Sequence, residues 1–543
     1  MEKLINRPWY RFYPEIMNTY QSFPECSVYT LLSDSVKKHE AKIAIRFQDQ
    51  EITYSQLLDK VDRLASSWNQ MGIKKSERIG LMLSNQPMYV FAYYAALKLG
   101  ATVVQINPLY MPREIEEISQ EVQLSYLVTE SQYMDKVQKV MKSYSYKQLF
   151  ITDQDIPIHL PNAQLIEKLI GEENTPIDVV PIKAREDVAV IQFTGGTTGK
   201  MKGAMLTHYN LVSNVIQSFL MYGSKMKMGE EVTLTATPLY HVYAMTSGMN
   251  LSIHIGATNI IIPKFEVNVV MRIIKRYQPT FFPGVPTMYN AFVNHPDVHE
   301  YELSCFKFCS SGSAPLPIEV INRFEELTGA VIGEGFGMSE TSPSTHRNPP
   351  FGERKIGSIG IPFPGTDSRI VDEERNELPI GSVGELAIKG PQVMKGYWNK
   401  PEETSKNLND GWLFTGDLAT MDKDGYFYIV GRKKEMIITG GFNVYPQEIE
   451  SILYDHPSVK EAAVIGIPHE YSGERVKAFV VVNDSCISEK DLINYCYENL
   501  TRYKVPKELE IRASLPRNTV GKLLKRILVK EESSKKTGGM AYE

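Results

Sequence analysis

A glycine- and threonine-rich segment with two lysines is the part of this sequence best suited to chemistry. It reads TGGTTGKMKGAMLTH, from Thr194 to His208, and follows the apolar run at residues 188–191. Glycines let a backbone turn tightly and approach a ligand closely, while amides, hydroxyls and lysines together bind anions. The segment therefore predicts a loop that binds a polyphosphate. A surface hairpin rich in turn residues is the weaker interpretation.

The spacing within this segment excludes a Walker loop. The Walker pattern needs four residues between its first glycine and the Gly-Lys pair, followed by Ser or Thr. Here only three residues separate Gly195 from Gly199 and Lys200, and Met201 follows the lysine. We therefore expect similar phosphate contacts on a different scaffold.

A second segment, EGFGMSETSP at residues 334–343, combines an aromatic ring between glycines with a hydroxyl–carboxylate–hydroxyl triplet. Phe336 could stack on a purine, and Ser339 and Thr341 could contact phosphate oxygens. Glu340 could hold Mg²⁺, which prefers one or two carboxylates together with substrate oxygens. Taken alone, the segment fits a capped helix N-terminus equally well.

Two further segments supply charges that a nucleotide would need. In GWLFTGDLA, Asp417 could accept hydrogen bonds from both ribose hydroxyls, or be an ordinary turn aspartate. Arg432 follows fifteen residues later and could reach a nucleotide with a fixed positive charge. In PRNTVGKLLKR, Lys522 follows a glycine in a loop, where a single lysine is usually just solvated.

These four segments, in this order, resemble the adenylate-forming superfamily of acyl-CoA synthetases, firefly luciferases and nonribosomal-peptide adenylation domains. The resemblance extends from about Tyr29 to Arg526, and PLYHVYAM, GFGMSETSP and GGFNVYPQEIE look most like bacterial long-chain fatty acid–CoA ligases. One departure is that Ser339 precedes Glu340 where the family usually has threonine. The hydroxyl is retained, so the phosphate contact is expected to survive.

The resemblance implies which positions bind ATP and Mg²⁺. The loop at residues 194–202 would hold the β- and γ-phosphates, the segment 311–315 and the segment 335–337 would border the adenine on opposite sides, and Glu340 would be the magnesium ligand. The individual residues implied in nucleotide binding are Thr194, Gly195, Gly196, Thr197, Thr198, Gly199, Lys200, Gly312, Ala314, Pro315, Gly335, Phe336, Gly337, Ser339, Asp417, Arg432 and Lys522.

The resemblance also implies catalytic roles. Asp417 would bind the ribose, Arg432 the ribose and phosphates, and Lys522 would bridge the substrate carboxylate and the α-phosphate. His241 would lie near the substrate carboxylate, and Lys434 would be the hinge about which a small domain turns. The Gly440–Gly441 pair would line a CoA tunnel in the second of two domain positions.

The implied reaction is ATP-dependent and AMP-forming, with CoA as co-substrate and a medium- to long-chain fatty acid as substrate. Ligases for aryl or branched acids, and enzymes that load a carrier protein, remain alternatives; residues 431–438 lack the insertion that carrier-protein loading enzymes commonly have near the hinge. A non-catalytic binder would have no use for Lys522. For the acyl pocket, Tyr243, Met245, Gly284 and Val285 fit a tunnel or core packing equally well.

Length and composition limit the number of domains, the possible partners and the cellular compartment. A chain of 543 residues predicts at least two domains, and a net charge of −5 argues against nucleic-acid binding. Five scattered cysteines predict reduced thiols, with Cys305 and Cys309 in the core, and a cytoplasmic protein. No apolar run reaches the ~18 residues of a membrane span, which leaves peripheral membrane contact open. The resemblance is compatible with a homodimer.

The elements that must position these residues alternate between helix and strand, as at residues 54–71, 78–84, 86–99 and 101–106. This pattern predicts an α/β protein with parallel-rich sheets covered by helices. We expect a large N-terminal domain at 1–431, with a β-rich region from about 355 that the resemblance makes a distorted β-barrel. A hinge at 432–434, a small mobile α+β domain at 435–530 and a disordered tail at 531–543 would follow.

Overall fold

The computed structural model describes residues 7–13, 22–152, 160, 162–171, 177–195, 201–439, 442–469, 471–483, 486–518 and 521–538. Its α-helices are α1 Val28–His39, α2 Tyr54–Gln70, α3 Pro87–Lys98, α4 Pro112–Glu121, α5 Met134–Val140, α6 Ile166–Gly171, α7 His208–Tyr222, α8 Leu251–His254, α9 Val267–Tyr277, α10 Pro286–Val293, α11 Ile318–Thr328, α12 Pro401–Asn407, α13 Pro446–Tyr454, α14 Glu489–Asn499 and α15 Lys525–Gly538.

The β-strands of the described residues are numbered in chain order. They are β1 Ile43–Phe47, β2 Gln50–Thr53, β3 Arg78–Met82, β4 Thr102–Gln105, β5 Tyr126–Glu130, β6 Gln148–Thr152, β7 Ala163–Leu165, β8 Val188–Gly195, β9 Met201–Thr207, β10 Val232–Thr235, β11 Thr258–Ile261, β12 Phe281–Gly284, β13 Phe308–Ser311, β14 Val331–Gly337, β15 Ser344–Arg347, β16 Ile361–Pro362, β17 Asp367–Val371, β18 Gly384–Lys389, β19 Gly396–Tyr397, β20 Leu408–Asn409, β21 Trp412–Met421, β22 Phe427–Arg432, β23 Ile437–Thr439, β24 Phe442–Val444, β25 Val459–His469, β26 Gly473–Val482 and β27 Glu508–Ile511.

The chain divides into two compact units. The first comprises Met1–Asp367 and Ile388–Leu413, and the second comprises Ser368–Ala387 and Phe414–Glu543. These two units are defined by the contacts within each of them. The domain boundaries predicted from the sequence instead separate a small domain that is expected to turn about a hinge. The hinge at 432–434 and the mobile domain after it therefore stay predictions.

The first unit contains two large sheets, which confirm the α/β class with parallel-rich sheets. One has eight strands in the order β19-β9-β8-β4-β3-β5-β6-β7, parallel from β8 to β7. The alternation predicted at residues 54–106 appears as α2, β3, α3 and β4. Every residue of α3 is buried, which explains its apolar sequence on all sides.

The second sheet of this unit has nine strands in the order β16-β15-β14-β13-β12-β10-β11-β1-β2. Its first strand in the sequence, β1, pairs in parallel with β11, so that Ile45 lies opposite Asn259. The strands β12, β13 and β14 are parallel neighbours. Because parallel strands end at the same edge of a sheet, the segments that follow β13 and β14 are brought together.

The second unit is richer in antiparallel structure, as the turn-rich sequence predicted. Strand β21 pairs antiparallel with β22, and β25 pairs antiparallel with β26 over almost its full length. Strand β27 lies parallel to β26 on its other side. Helices α13 and α14 cover this sheet through a core that includes Ile449 and Leu492. The distorted barrel stays a prediction.

Residues 531–538 of the predicted tail continue helix α15, and residues 539–543 lie outside the described part of the chain. Leu528 on this helix is fully buried. Two of its acidic residues are paired with distant residues: Glu531 with Arg512 at 2.6 Å, and Glu532 with Lys477 at 2.9 Å. A composition that looks solvated in the sequence is thus held by ion pairs with distant residues.

The N-terminal aromatic residues pack against the first unit. Trp9 is fully buried, and the Tyr13 hydroxyl donates to the carbonyls of Pro362 and Phe363 at 3.0 and 3.2 Å. Cys309 is buried and Cys305 half-buried, and neither forms a disulfide. None of the helices in the described part of the chain has both the length and the apolar character that a bilayer crossing needs.

Asn85 links the two large sheets at the ends of their strands. Its side-chain nitrogen donates to the carbonyls of Thr237 and Ile262 at 3.1 and 3.0 Å, and its oxygen accepts from the Leu239 amide at 2.7 Å. The residue is 4% exposed. It therefore satisfies three buried backbone groups that have no access to water.

Replacing Asn85 by leucine is expected to lower the free energy of unfolding by about 2–5 kcal/mol, because it leaves these backbone groups buried and unpaired. Urea denaturation of both proteins measures the difference. Asn69→Leu, on an exposed position at the end of α2, is the matched control and should change stability by less than about 0.5 kcal/mol. Equal losses in the two variants would contradict this role.

Candidate active site

The phosphate loop is anchored by an antiparallel hairpin. Strand β8 runs to Gly195 and β9 begins at Met201, and the register pairs Thr194 with Lys202. The predicted loop residues Gly196, Thr197, Thr198, Gly199 and Lys200 lie outside the described residues. The two ends of the loop are thereby fixed in the eight-stranded sheet, and the phosphate contact itself stays a prediction.

The two segments predicted to border adenine are neighbours in the nine-stranded sheet. Ser311 at the end of β13 lies opposite Glu334 in β14, so residues 312–315 continue beside residues 335–337. At Gly337 a side chain would collide with the Pro343 carbonyl, so only glycine fits there. The segments that contain Gly312, Ala314 and Pro315 and that contain Gly335, Phe336 and Gly337 thus leave neighbouring strands, and their contact with adenine stays a prediction.

Glu340 is a buried carboxylate with a tyrosine as its partner. It lies in the turn Ser339–Thr341 directly after β14 and is 7% exposed. The Tyr397 hydroxyl donates to Glu340 Oε1 at 2.7 Å, and the Met394 amide donates to the Glu340 carbonyl at 2.8 Å. Glu340 is therefore held through both its side chain and its backbone carbonyl.

The chemistry of this position fits a magnesium ion that shares its ligands with a substrate. Within the described residues no three His, Cys, Asp or Glu side chains come together as a metal site of their own. A single buried carboxylate next to hydroxyls is the protein contribution that Mg²⁺ uses when phosphate oxygens complete its shell. Glu340 with Ser339 and Thr341 matches that donor set.

His241 lies in a loop that is fixed from two sides. The Asn85 side chain accepts from Leu239, and the Gln192 side chain of β8 donates to the Tyr240 carbonyl at 3.3 Å. The His241 ring accepts from the Tyr243 amide at 3.3 Å through Nδ1. The loop is thus tied to the strand that leads into the phosphate loop.

The candidate acyl-pocket residues have packing partners in the first unit. The Tyr243 hydroxyl lies 2.9 Å from Ser310 Oγ, and Met245 and Val285 are buried. A side chain at Gly284 would meet the rings of Phe282 and Tyr289. These contacts show core packing at each position and leave the predicted tunnel untested.

In the second unit, Asp417 is a buried carboxylate with one oxygen paired and one not. It lies opposite Arg432 in the β21–β22 ladder, and Arg432 Nε contacts Asp417 Oδ1 at 2.6 Å. Asp417 is 3% exposed, and its Oδ2 has no hydrogen-bond partner. A buried acceptor without a partner is costly. Hydroxyl groups of a ligand would satisfy it.

Two lysines add positive charge around Asp417. Burial raises the pKa of Asp417, and the charges of Arg432 and Lys522 counteract this rise. Burial also lowers the pKa of Lys434, followed in size by the effect of Arg432. Lys522 is held in a turn in which its amide donates to Asn518 Oδ1 at 2.7 Å. Arg432, Lys434 and Lys522 thus form a cationic group around one carboxylate.

Sequence reasoning missed two residues here. Tyr397 lies in the unremarkable run GYWNK, and only its contact with Glu340 reveals it. Glu334 opens the adenine segment, and burial raises its pKa to about 7, opposed by a hydrogen bond from the Gly357 amide and by the charge of Arg354. No pattern in the sequence signals a burial of this kind.

Known proteins match this chain along most of its length. The model of the AMP-binding enzyme family matches residues 32–398, and that of the AMP-binding enzyme C-terminal domain matches residues 448–522. The long-chain-fatty-acid–CoA ligase of Bacillus subtilis (strain 168) is 41% identical over 552 residues, covering 97% of this chain and 98% of that protein. The long-chain-fatty-acid–CoA ligase of Escherichia coli O6:H1 is 35% identical over 562 residues, covering 98% and 99%.

Among solved structures, ATP-bound MatB from Rhodopseudomonas palustris matches with a TM-score of 0.85 at 30% identity. The match covers 94% of this chain and 99% of that chain.

Glu334 should make stability depend on pH in a defined window. Its pKa in the folded protein is about 7, above the unfolded value of about 4.3, so the folded state binds the proton more tightly. The contribution of Glu334 to stability is therefore fully present below about pH 4.3, is lost as the pH rises to about 7, and does not change further above that. We expect Glu334→Gln to remove this fall and to raise the free energy of unfolding at pH 8 by up to roughly 3–4 kcal/mol.

Denaturation between pH 5 and 8 measures this effect. Glu319→Gln, on an exposed position of α11, is the matched control and should reproduce the wild-type profile. A Glu334→Gln profile parallel to that of the wild type would contradict the assignment.

Proposed function

This chain belongs to the AMP-binding enzyme family, and from that premise we propose that it is an ATP-dependent, AMP-forming ligase that joins a medium- to long-chain fatty acid to CoA. Both matched relatives are long-chain-fatty-acid–CoA ligases, and the matches span nearly all of each chain. The observation that carries the proposal is Asp417. It is a buried carboxylate fixed by Arg432, with an unpaired oxygen suited to the hydroxyls of a ribose.

The first half-reaction would form an acyl adenylate. The fatty-acid carboxylate attacks the α-phosphorus of ATP, a P–O bond forms, and the bond to pyrophosphate breaks. Both reactants are anions, so their approach needs fixed positive charge. Lys522 would bridge the carboxylate and the α-phosphate, Arg432 would bind the ribose and phosphates, and His241 would lie at the carboxylate. Bound at Glu340, Mg²⁺ would offset the charge of the phosphates.

The second half-reaction would transfer the acyl group to CoA. The thiol gives its proton to solvent and attacks the acyl carbonyl, a C–S bond forms, and AMP leaves with the electron pair of the broken C–O bond. No nucleophile of the enzyme is needed, which agrees with the absence of any cysteine from the proposed site. Lys522 is needed for the first step only. We therefore assign Lys434 as the hinge about which residues 435–530 turn between the steps.

Other readings of the chain have less support. Aryl or branched acids would fit the same chemistry, but the names of both matched relatives favour long-chain fatty acids. Loading of a carrier protein has no supporting feature at residues 431–438. A binder without turnover would not need Lys522 beside a ribose carboxylate. The scattered cysteines without disulfides support a cytoplasmic location.

A panel of carboxylic acids tests the function directly. We expect pyrophosphate release with saturated acids of medium and long chain in the presence of ATP and Mg²⁺, and acyl-CoA formation once CoA is added. Aryl and branched acids that bury fewer methylenes than these should react at least about tenfold more slowly, since each buried methylene contributes about 1 kcal/mol of discrimination. Release with none of the acids would leave only a binding function.

Lys522→Ala should separate the two half-reactions. Loss of the charge that bridges the reactants is expected to slow acyl-adenylate formation about 100-fold or more. Conversion of supplied acyl adenylate to acyl-CoA should change less than about threefold. Lys530→Ala, on the exposed part of α15, is the control and should leave both steps intact. An equal loss in both steps would rule out a role confined to adenylation.

A further inference from the structure

We propose that Tyr397 is the positioning residue that fixes Glu340 for magnesium-bound ATP, and that the same ring anchors Lys202 at the end of the phosphate loop. The inference rests on the proposed function. It adds one residue that carries no charge and that no motif marks. Tyr397 would not touch the reacting atoms itself but would act through Glu340 and Lys202.

The hydrogen bond between Tyr397 and Glu340 is buried at both ends. The two atoms lie 2.7 Å apart, and each residue is 7% exposed. A carboxylate removed from water needs a hydrogen-bond donor, because an unpaired buried charge is strongly disfavoured. The bond also selects one orientation of Glu340.

The backbone holds Tyr397 firmly enough to orient a partner. Strand β19 pairs with β9, with Tyr397 opposite Ala204 and Gly396 opposite Met205. The Tyr397 amide donates to Thr404 Oγ1 at 2.9 Å. Gly396 has a φ of +147°, and a side chain there would lie 2.8 Å from the Thr404 side chain. Glycine is therefore required just before Tyr397, and the ring has little freedom.

The face of the ring contacts the phosphate-loop hairpin. Lys202 Nζ lies 5.3 Å from the centre of the Tyr397 ring, within the range of a cation–π interaction. The same ammonium is paired with Glu403 at 2.5 Å. Lys202 is the second described residue after the loop. One side chain thus joins the magnesium-ligand position to the end of the phosphate loop, two parts that must be in register for one ATP.

The test removes only the hydroxyl, with Tyr397→Phe. Calorimetric titration with ATP, without fatty acid, is done once with Mg²⁺ and once with EDTA. Loss of a hydrogen bond to a metal ligand typically costs 10- to 100-fold in metal affinity. We therefore expect ATP with Mg²⁺ to bind about tenfold more weakly, and ATP in EDTA to bind within about twofold of the wild type.

A purely structural role would not produce this split. Tyr54→Phe is the matched control, because Tyr54 is fully buried and donates its hydroxyl to the Ala257 carbonyl at 2.7 Å, away from the proposed site. It should weaken neither titration, although it removes a buried hydrogen bond of the same kind. Equal weakening of the Mg²⁺ and EDTA titrations in Tyr397→Phe would overturn the proposal.

A double-mutant cycle shows whether Tyr397 acts through Glu340. In Glu340→Gln the charged ligand is absent, so adding Tyr397→Phe should cost less than about twofold more. Additive losses would contradict the proposed route. In turnover, Tyr397→Phe should need about tenfold more Mg²⁺ for half-maximal pyrophosphate release, and should convert supplied acyl adenylate at the wild-type rate. If the wild type releases no pyrophosphate with any acid, the proposed function fails instead, and the titrations still judge Tyr397.

Discussion

A carboxylate can be buried only if other groups replace the water it loses, and this constraint shapes one proposed site residue in each of the two units. Glu340 meets it with a neutral phenol and Asp417 with a guanidinium. In each case one oxygen is bound by the protein, and the arrangement fixes the direction of the side chain. The partner of Glu340 is neutral, whereas the partner of Asp417 is charged. The neutral phenol adds no positive charge beside Glu340, which suits the proposed binding of a cation there. Arg432 offsets the charge of Asp417 and leaves the second oxygen of that carboxylate for a hydrogen-bond donor.

The parallel sheets make this arrangement possible. Ser311 and Glu334 are neighbours because β13 and β14 run in the same direction, and the segments that leave these strands emerge at one edge. The loop at residues 196–200 is likewise bounded by β8 and β9, and Gln192 connects β8 to the loop that carries His241. The order of the strands thus brings residues separated by more than a hundred positions in the sequence to the ends of neighbouring strands.

The sequence was sufficient where a local pattern carries the information. Apolar runs bounded by glycine predicted α2, β3, α3 and β4. The spaced motifs named Glu340, Asp417 and Lys522 as site residues, and that role stays a prediction. The sequence failed where a property arises from distant contacts. The Tyr397–Glu340 bond joins residues 57 positions apart, and the raised pKa of Glu334 depends on burial. The charged end of α15 looked solvated because its partners, Arg512 and Lys477, belong to other elements.

The pairing of β1 with β11 has a consequence for folding during synthesis. Ile45 finds its neighbour Asn259 only after more than two hundred further residues have been made. At about 5–20 residues per second, synthesis of that stretch takes roughly 10–40 seconds. During this time the β1–β2 hairpin has an open edge of unpaired amides and carbonyls, which other chains could join. The edge of β1 in the nascent protein therefore needs protection from pairing with other chains until the ribosome has synthesised β11.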